Sequence, residues 1–251
     1  NQDVRIAIRG YGARGAGDRS NAGTTRGIRV LLDGFPETEP DGRTSLDGVD
    51  LAAAHDIEVV RSNASAVWGN AAGGIVSVST LPDPHDPRVA LEPMAGSFGL
   101  QRYAARGSML LGGNGGILGV GFVRRDADGW RGHSASERSV LNVSVRAPVA
   151  DRTTLGVYAV GSDNIFRIPG PLTQAQVDAD PRQANATYLG RDERRENHVA
   201  RLGLALDHEA SERVGITGML YLNPKSLHRS ERGTYRDFTR YHVGGNGTVR
   251  I

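Results

Sequence analysis

The chain has 251 residues, of which 38% are hydrophobic and 6% aromatic, and its formal net charge is +2. This charge is too small to indicate a nucleic-acid-binding protein, and the absence of cysteine excludes a disulfide scaffold and thiolate metal sites. No apolar run approaches the roughly 20 residues of a membrane-spanning helix, so a helical membrane protein is excluded. A transmembrane β-barrel stays open, because its lipid-facing residues alternate with polar ones and dilute the average hydropathy.

The first part of the chain has short strand-like runs separated by glycine-rich loops, a pattern typical of a small α+β unit. Its strands are predicted at Val4–Arg9, Arg29–Leu32, Ile57–Arg61 and Ile75–Thr80. Short helices are predicted at Leu51–His55 and, after the cap-like Ser62 and Asn63, at Ala64–Trp68. Three prolines within Leu81–Pro87 indicate a boundary, which predicts two domains, 1–81 and 88–251.

From Val89 onward, apolar and polar residues alternate with period two, which predicts about eight strands to the end of the chain. Tight turns are predicted at Gly112–Gly115, Ala150–Arg152 and Ala210–Glu212, and longer loops at Ala127–Glu137, Ile165–Glu196 and Pro224–Tyr241. Such alternation is typical of outer-membrane barrels, although the first hairpin, Ser97–Leu100, is short on the expected long side. The alternative is a soluble β-rich binding or adhesion module, which would rarely hold a loop as long as the second one.

Two motifs suggest enzymatic or metal chemistry but fail in context. Gly10–Gly15 matches a dinucleotide fingerprint, yet the glycine-rich stretch after it cannot open a helix toward a pyrophosphate. Measurable nucleotide affinity there would identify that rival, a nucleotide-binding enzyme. Asp41–Asp50 lacks calcium-loop spacing, and the histidines form no metal-binding pair. The sequence therefore predicts no enzyme, no cofactor and no metal site.

Four segments carry a family resemblance: Ile6–Arg14, Arg26–Pro36, Asp56–Arg61 and Ser65–Val78. They resemble the plug domain of TonB-dependent outer-membrane receptors, whose closing signature reads I-E-V-x-R-G-P-x-S-x-L-Y-G before a glycine pair. Ser62-Asn63 replaces Gly-Pro in that signature, and Val67-Trp68 replaces Leu-Tyr. Asp128–Ala135, Gly170–Gln176 and Asp180–Ala184 look like the ferric-dicitrate-type or colicin-receptor-like branch.

The resemblance implies an α+β plug, with a small mixed sheet and short helices, followed by antiparallel transmembrane β-barrel strands. Only a large barrel encloses such a plug, so about eight of roughly 22 strands would be present. We therefore expect the chain to be a fragment. The implied function is import of a scarce ligand, a ferric siderophore or similar chelate, across the outer membrane. The implied partners are TonB, through a TonB box upstream of Asn1, and outer-membrane lipid and lipopolysaccharide.

The resemblance also implies site residues. The plug loops and the barrel loops that face outward would bind the ligand through arginines, acids and aromatic rings. The ligand candidates are Tyr11, Arg14, Arg19, Glu39, Asp41, Arg43, Trp130, Arg131, His133, Phe166 and Arg167. Glu37 lies in the same plug loop as Glu39. Arg9 and Arg61 would latch the plug by pairing with barrel glutamates beyond Ile251.

Overall fold

The computed structural model describes residues 6–12, 25, 27–39, 44–85, 88–113, 115–231 and 233–251. The first part contains six short strands and one helix: β1 (Ala7–Ile8), β2 (Tyr11–Gly12), β3 (Ile28–Leu32), β4 (Phe35–Pro36), β5 (Asp56–Val60), α1 (Ser65–Trp68) and β6 (Gly74–Ser79). The second part contains β7 (Val89–Ala95), β8 (Gln101–Leu111), β9 (Gly116–Ala127), β10 (Ser136–Ala150), β11 (Thr153–Arg167), α2 (Gln174–Ala179), α3 (Ala186–Gly190), β12 (Arg194–Glu209), β13 (Gly215–Glu231) and β14 (Thr234–Arg250).

The first part, which we call the N-terminal unit, is built on a mixed sheet with strand order β4-β3-β6-β5. Strand β3 pairs in parallel with β6, and β4 and β5 add antiparallel at the edges. The central β3 is almost wholly buried, as a strand covered on both faces should be. The four strands predicted from sequence are confirmed where the chain is described, as is the helix α1.

The second part is an antiparallel sheet of eight strands, each paired with its neighbour in sequence from β7 to β14. One face, here called the inner face, contacts the N-terminal unit. Inner residues Val140, Asn142 and Ser144 of β10 are buried, whereas Leu141 between them is 46% exposed on the outer face. Leucine, valine and aromatic side chains continue this exposed outer band on the other strands, namely Tyr103, Val120, Phe122, Leu202, Leu204, Leu220, Leu222, Tyr241 and Val243. The predicted count of eight strands and their alternation are confirmed.

The two parts share a small apolar core. Leu32, Ala54 and Val78 of the N-terminal unit pack with Val140 and Val160 of the inner face.

Within the described residues, no helix is both long and apolar enough to cross a bilayer.

Two sequence predictions are wrong. Leu51–His55 forms turns and no helix, because Asp50 accepts the backbone N–H of Ala52 in a local turn and the segment then leads directly into β5. Pro224–Tyr241 is no long loop: β13 and β14 stay paired up to Glu231 and Thr234. Polar side chains in this stretch continue the period-two alternation, and the backbone pairing continues with it. The longest loop is confirmed, but it contains α2 and α3.

The N-terminal unit and the large sheet approach each other closely at Gly203, so a side chain added there should disturb the packing. A Cβ atom at Gly203 would lie 2.5 Å from the buried ring of Phe35, whereas one at Gly161, on the outer face, would meet nothing within 4 Å. We expect Gly203→Ala to lower the free energy of unfolding by about 1–3 kcal/mol, the usual effect of overpacking. Gly161→Ala is the matched control and should change it by about 0.5 kcal/mol or less. Thermal melting of both purified variants measures this, and equal midpoints would contradict the packing argument.

Candidate functional site

A run of acidic residues joins the N-terminal unit to the inner face of the large sheet. We call the described residues 37–39 and 44–50 the acidic segment. Glu37, directly after β4, contacts the guanidinium of Arg201 on β12, and both side chains are almost fully buried. Burial raises the pKa of Glu37, while the charge and hydrogen bond of Arg201 act in the opposite direction. Arg201 also lies 5.6 Å from the ring centre of Phe35, so the pair is enclosed by packed side chains.

Glu39 makes the second charged contact. One oxygen lies 2.6 Å from Nζ of Lys225 on β13, and the other lies 3.6 Å from Nη1 of Arg240 on β14. The Glu39 side chain is only 9% exposed. The sequence placed Glu39 among the ligand-binding residues, and the structure places it between two cations of the sheet.

Asp50 makes the third charged contact, with Arg102 on β8 at 3.2 Å and Arg138 on β10 at 3.3 Å. Arg138 also donates to backbone carbonyls of the acidic segment, those of Val49 at 2.6 Å and Asp47 at 3.1 Å. Arg138 thus fixes the backbone as well as the charge of this segment.

Asp47 is held by neutral donors. Its carboxylate accepts from the amides of Asn164 at 3.0 Å and Asn197 at 3.1 Å, and its carbonyl accepts from Ser162 Oγ at 2.7 Å. A buried carboxylate without partners would be costly, and here each one has donors from the sheet. Period-two alternation puts Arg102, Arg106 and Arg201 on the polar face of their strands, but it does not show which acids pair with them.

Asp33, directly after β3, has a structural role. Its carboxylate accepts the backbone N–H of Thr80 at 2.6 Å and the Thr80 hydroxyl at 2.9 Å. This ties the end of β3 to the end of β6, where the chain leaves the N-terminal unit.

A separate open cavity of about 610 Å³ lies among the loops that follow β7, β9 and β11. Its lining includes Trp130 and Phe98, which are 49% and 46% exposed, and the guanidinium groups of Arg167 and Arg182. Arg182 lies 5.8 Å from the ring centre of Phe98. Exposed rings beside arginines suit a planar anionic ligand through stacking and charge-assisted hydrogen bonds.

The structure brings four sequence-predicted residues, Trp130, Arg131, His133 and Arg167, to this cavity. Arg131 is engaged with the protein: its guanidinium donates to the carbonyls of Gly170 at 2.8 Å and Gln183 at 2.9 Å, and so connects two loops. The His133 side chain is only 5% exposed, and its Nε2 lies 3.1 Å from the Glu193 carbonyl oxygen.

The other predicted residues lie elsewhere. Phe166 is buried on the inner face, with the Arg195 guanidinium 5.7 Å from its ring centre. Tyr11 lies on β2 and packs closely over Gly73. Arg9 donates to the Arg61 carbonyl at 3.3 Å, so the two latch candidates are neighbours. Four ligand candidates lie outside the described residues, namely Arg14, Arg19, Asp41 and Arg43. In the described part of the chain, no cluster of three or more histidine or acidic side chains suits a metal ion.

The buried pair predicts an asymmetric mutational effect. Arg201→Leu leaves Glu37 buried without its cation, which we expect to lower the free energy of unfolding by about 3–5 kcal/mol. The double change Glu37→Leu and Arg201→Leu should lose much less, because no charge is left buried. The half-exposed pair of Arg146 and Asp207 is the matched control, and Arg146→Leu should lose at most about 1 kcal/mol. Thermal melting of the purified protein distinguishes these cases.

The stability of the Arg201→Leu variant should also depend on pH. Without Arg201, burial raises the pKa of Glu37 with no opposing cation. A raised folded-state pKa contributes stability that is present below the unfolded pKa and is lost as pH rises through the folded pKa. The stability deficit of Arg201→Leu should therefore be smaller at about pH 5 than at about pH 8. A deficit independent of pH would contradict the assignment of its cause to Glu37.

The contacts of Arg131 predict that it orders the longest loop. Arg131→Ala removes its donors to the carbonyls of Gly170 and Gln183, and we expect faster amide hydrogen exchange across residues 168–193. Arg213→Ala, in the exposed turn before β13, is the control and should leave that loop unchanged. Unchanged exchange in both variants would show that the loop is ordered by other contacts.

Comparison with known proteins connects this geometry to a family. Residues 1–75 match the family model described as TonB-dependent Receptor Plug Domain. The fold resembles that of the ferric citrate transporter FecA in its unliganded form, with TM-score 0.67, 19% identity, and coverage of 89% of this chain and 35% of that one. It also resembles BauA, the ferric preacinetobactin receptor from Acinetobacter baumannii, with TM-score 0.63, 14% identity, and coverage of 94% and 33%.

A third similar structure is the ferric-catecholate import receptor Fiu from E. coli K12, with TM-score 0.61, 11% identity, and coverage of 90% of this chain and 39% of that one. The chain thus spans between a third and two fifths of the length of these proteins. Its N-terminal unit and eight-stranded sheet have the fold of a plug with part of a barrel, and the matches support an outer-membrane location. Together, residues 1–75 match a TonB-dependent receptor plug domain, and the chain as a whole shares the fold of the plug and first barrel strands of these receptors.

Proposed function

We propose that this chain is the plug, residues 1–81, and the first part of the barrel, residues 88–251, of an outer-membrane receptor. The receptor imports an anionic metal chelate, a ferric siderophore or ferric citrate-like complex, into the periplasm. The energy comes from TonB, acting through a TonB box upstream of the plug. Outer-membrane lipid and lipopolysaccharide contact the outer face.

One observation carries this proposal: the large sheet has an exposed apolar outer face and a polar inner face that holds a folded unit. Leu202, Leu204 and Val243 are exposed on the outer face, while Arg201 and Lys225 on the inner face bind acids of the N-terminal unit. An apolar band outside and polar residues inside are typical of a barrel in the outer membrane. In a soluble binding module, such an apolar band would be in contact with water, which is unfavourable.

The loop cavity supports the chemical class of the ligand. Trp130 offers an exposed ring, and two arginines line the same cavity: Arg182, which lies over the Phe98 ring, and Arg167, whose Nε lies 3.5 Å from Asp192. A metal chelate with carboxylate or catecholate oxygens presents negative charge around a compact centre, which complements arginine donors. The ferric-dicitrate-type branch belongs to this proposal and is supported by the similarity to FecA.

The test uses the full-length protein with its signal peptide, expressed in cells with and without a functional TonB system. We expect a band in the outer-membrane fraction whose gel migration shifts on heating, and uptake of radioactive ferric citrate or a ferric siderophore that requires TonB. A product in the soluble fraction without a heat shift would overturn the proposal in favour of a soluble β-rich module.

The cavity predicts a specific binding defect. Trp130→Ala removes one ring face, and we expect the Kd of the bound chelate to rise about tenfold, the equivalent of about 1.4 kcal/mol. Leu189→Ala is the control, because Leu189 lies 55% exposed on α3 and is not among the residues lining the cavity. Equal affinities for the wild type and both variants, measured by equilibrium binding to the purified receptor, would remove Trp130 from the site.

A further inference from the structure

The inner face of the large sheet concentrates positive charge. Three successive rows of inner-face residues, matched across the strands by their pairing register, contain seven basic side chains: Arg102, Arg125 and Arg138 in one row, Lys225 and Arg240 in the next, and Arg106 and Arg201 in the third. From β8 to β14, these rows contain no aspartate or glutamate among the described residues. Such a surface repels itself unless another part of the molecule supplies negative charge.

The acidic segment supplies that charge. Five of the seven cations contact three of its four described carboxylates: Arg102 and Arg138 at Asp50, Arg201 at Glu37, and Lys225 and Arg240 at Glu39. We call these five residues the cation cluster. Their partners are carboxylate oxygens, which are the groups that an anionic chelate also presents.

The two sides of this contact differ in how firmly they are held. The cation cluster is carried by β8, β10, β12, β13 and β14, strands of 11 to 17 residues with continuous neighbour pairing. The described residues of the acidic segment follow the two-residue strand β4 and contain no strand of their own, only an isolated bridge between Thr38 and Thr44. If the contact opens, the segment is the side that moves and the cations keep their places.

We propose that the cation cluster is an anion-binding surface of the barrel wall, covered by the plug's own carboxylates. When the acidic segment moves away, carboxylate or similar oxygens of an anionic ligand take the places of Asp50, Glu39 and Glu37. This inference rests on the proposed import function for the ligand and for the movement of the plug. It adds a second site, on the wall and behind the plug, to the loop cavity.

A purely structural role for these contacts makes a different prediction. If they only seat the plug, neutralising the acid and neutralising the cation both loosen the segment and have the same effect on anion binding. An anion-binding surface gives effects of opposite sign, because the first change uncovers the cations and the second removes them.

The probe for this test is citrate at neutral pH, because its three carboxylates match the replaced groups, and binding is measured by isothermal titration calorimetry on the purified full-length receptor. Asp50→Asn combined with Glu39→Gln should tighten citrate binding about tenfold, the effect of one added charge-assisted hydrogen bond. Adding Arg138→Gln to that double variant should abolish the gain, and Arg138→Lys in its place should keep most of it.

Arg146→Gln in the same double variant is the matched control, because Arg146 is on the inner face but pairs with Asp207 outside the cation cluster. It should leave the gain intact, and heat-modifiable migration verifies that each variant is folded. Absence of a gain, or a gain that Arg138→Gln leaves unchanged, would overturn the anion-binding surface. Since the assay needs no transport, failed uptake with an intact citrate response would overturn the proposed import function and spare this inference.

Discussion

The structure depends on the neutralisation of buried charge between the acidic segment and the inner face of the sheet. Neither Glu37 nor Arg201 would be stable in its buried position without the other, since an unpaired ion there loses its hydration without compensation. The apolar core shared by the two parts is small and centres on Leu32, Val140 and Val160. The seating of the plug is therefore largely polar, and polar contacts, unlike a packed apolar core, can be exchanged for water or for other anions.

Alternation in the sequence was sufficient to predict the strands and their two faces. Leu141 on the outer face and Arg201 on the inner face lie where period two put them. The strand prediction failed at Pro224–Tyr241, where the alternation continues in polar residues. The pairing of β13 and β14 there depends on backbone hydrogen bonds and not on apolar side chains. The prediction of a helix at Leu51–His55 failed for another reason. The helix-forming residues of this segment are overruled by a local turn, in which Asp50 accepts the backbone N–H of Ala52, and by the tertiary contact of Asp50 with Arg138.

The site was less predictable than the fold, because the decisive contacts join residues far apart in sequence. Glu39 and Lys225 are 186 positions apart, and no local pattern links them. The family resemblance placed Glu39 and Arg131 among the ligand contacts, because both lie in loops that would face outward. The structure shows their polar groups bound to the protein, Glu39 to cations and Arg131 to carbonyls of the long loop. Trp130 is half-exposed in the loop after β9, and its contact with a ligand stays a prediction.

The loop cavity and the acidic segment are connected through the same strands. Arg138, which holds Asp50, is the third residue of β10, the strand that follows the loop of Trp130 and His133. Asn164, which holds Asp47, lies three residues before Arg167 on β11. A ligand that reorders these loops acts on strand ends whose inner side chains hold the plug. Because β10 and β11 are paired from Ser136–Phe166 to Pro148–Thr154, we expect a displacement of one strand to reach the other. An anion bound first by the loop arginines would thus lie at the ends of strands that carry the contacts of the acidic segment, and in the proposed replacement one carboxylate is exchanged for another.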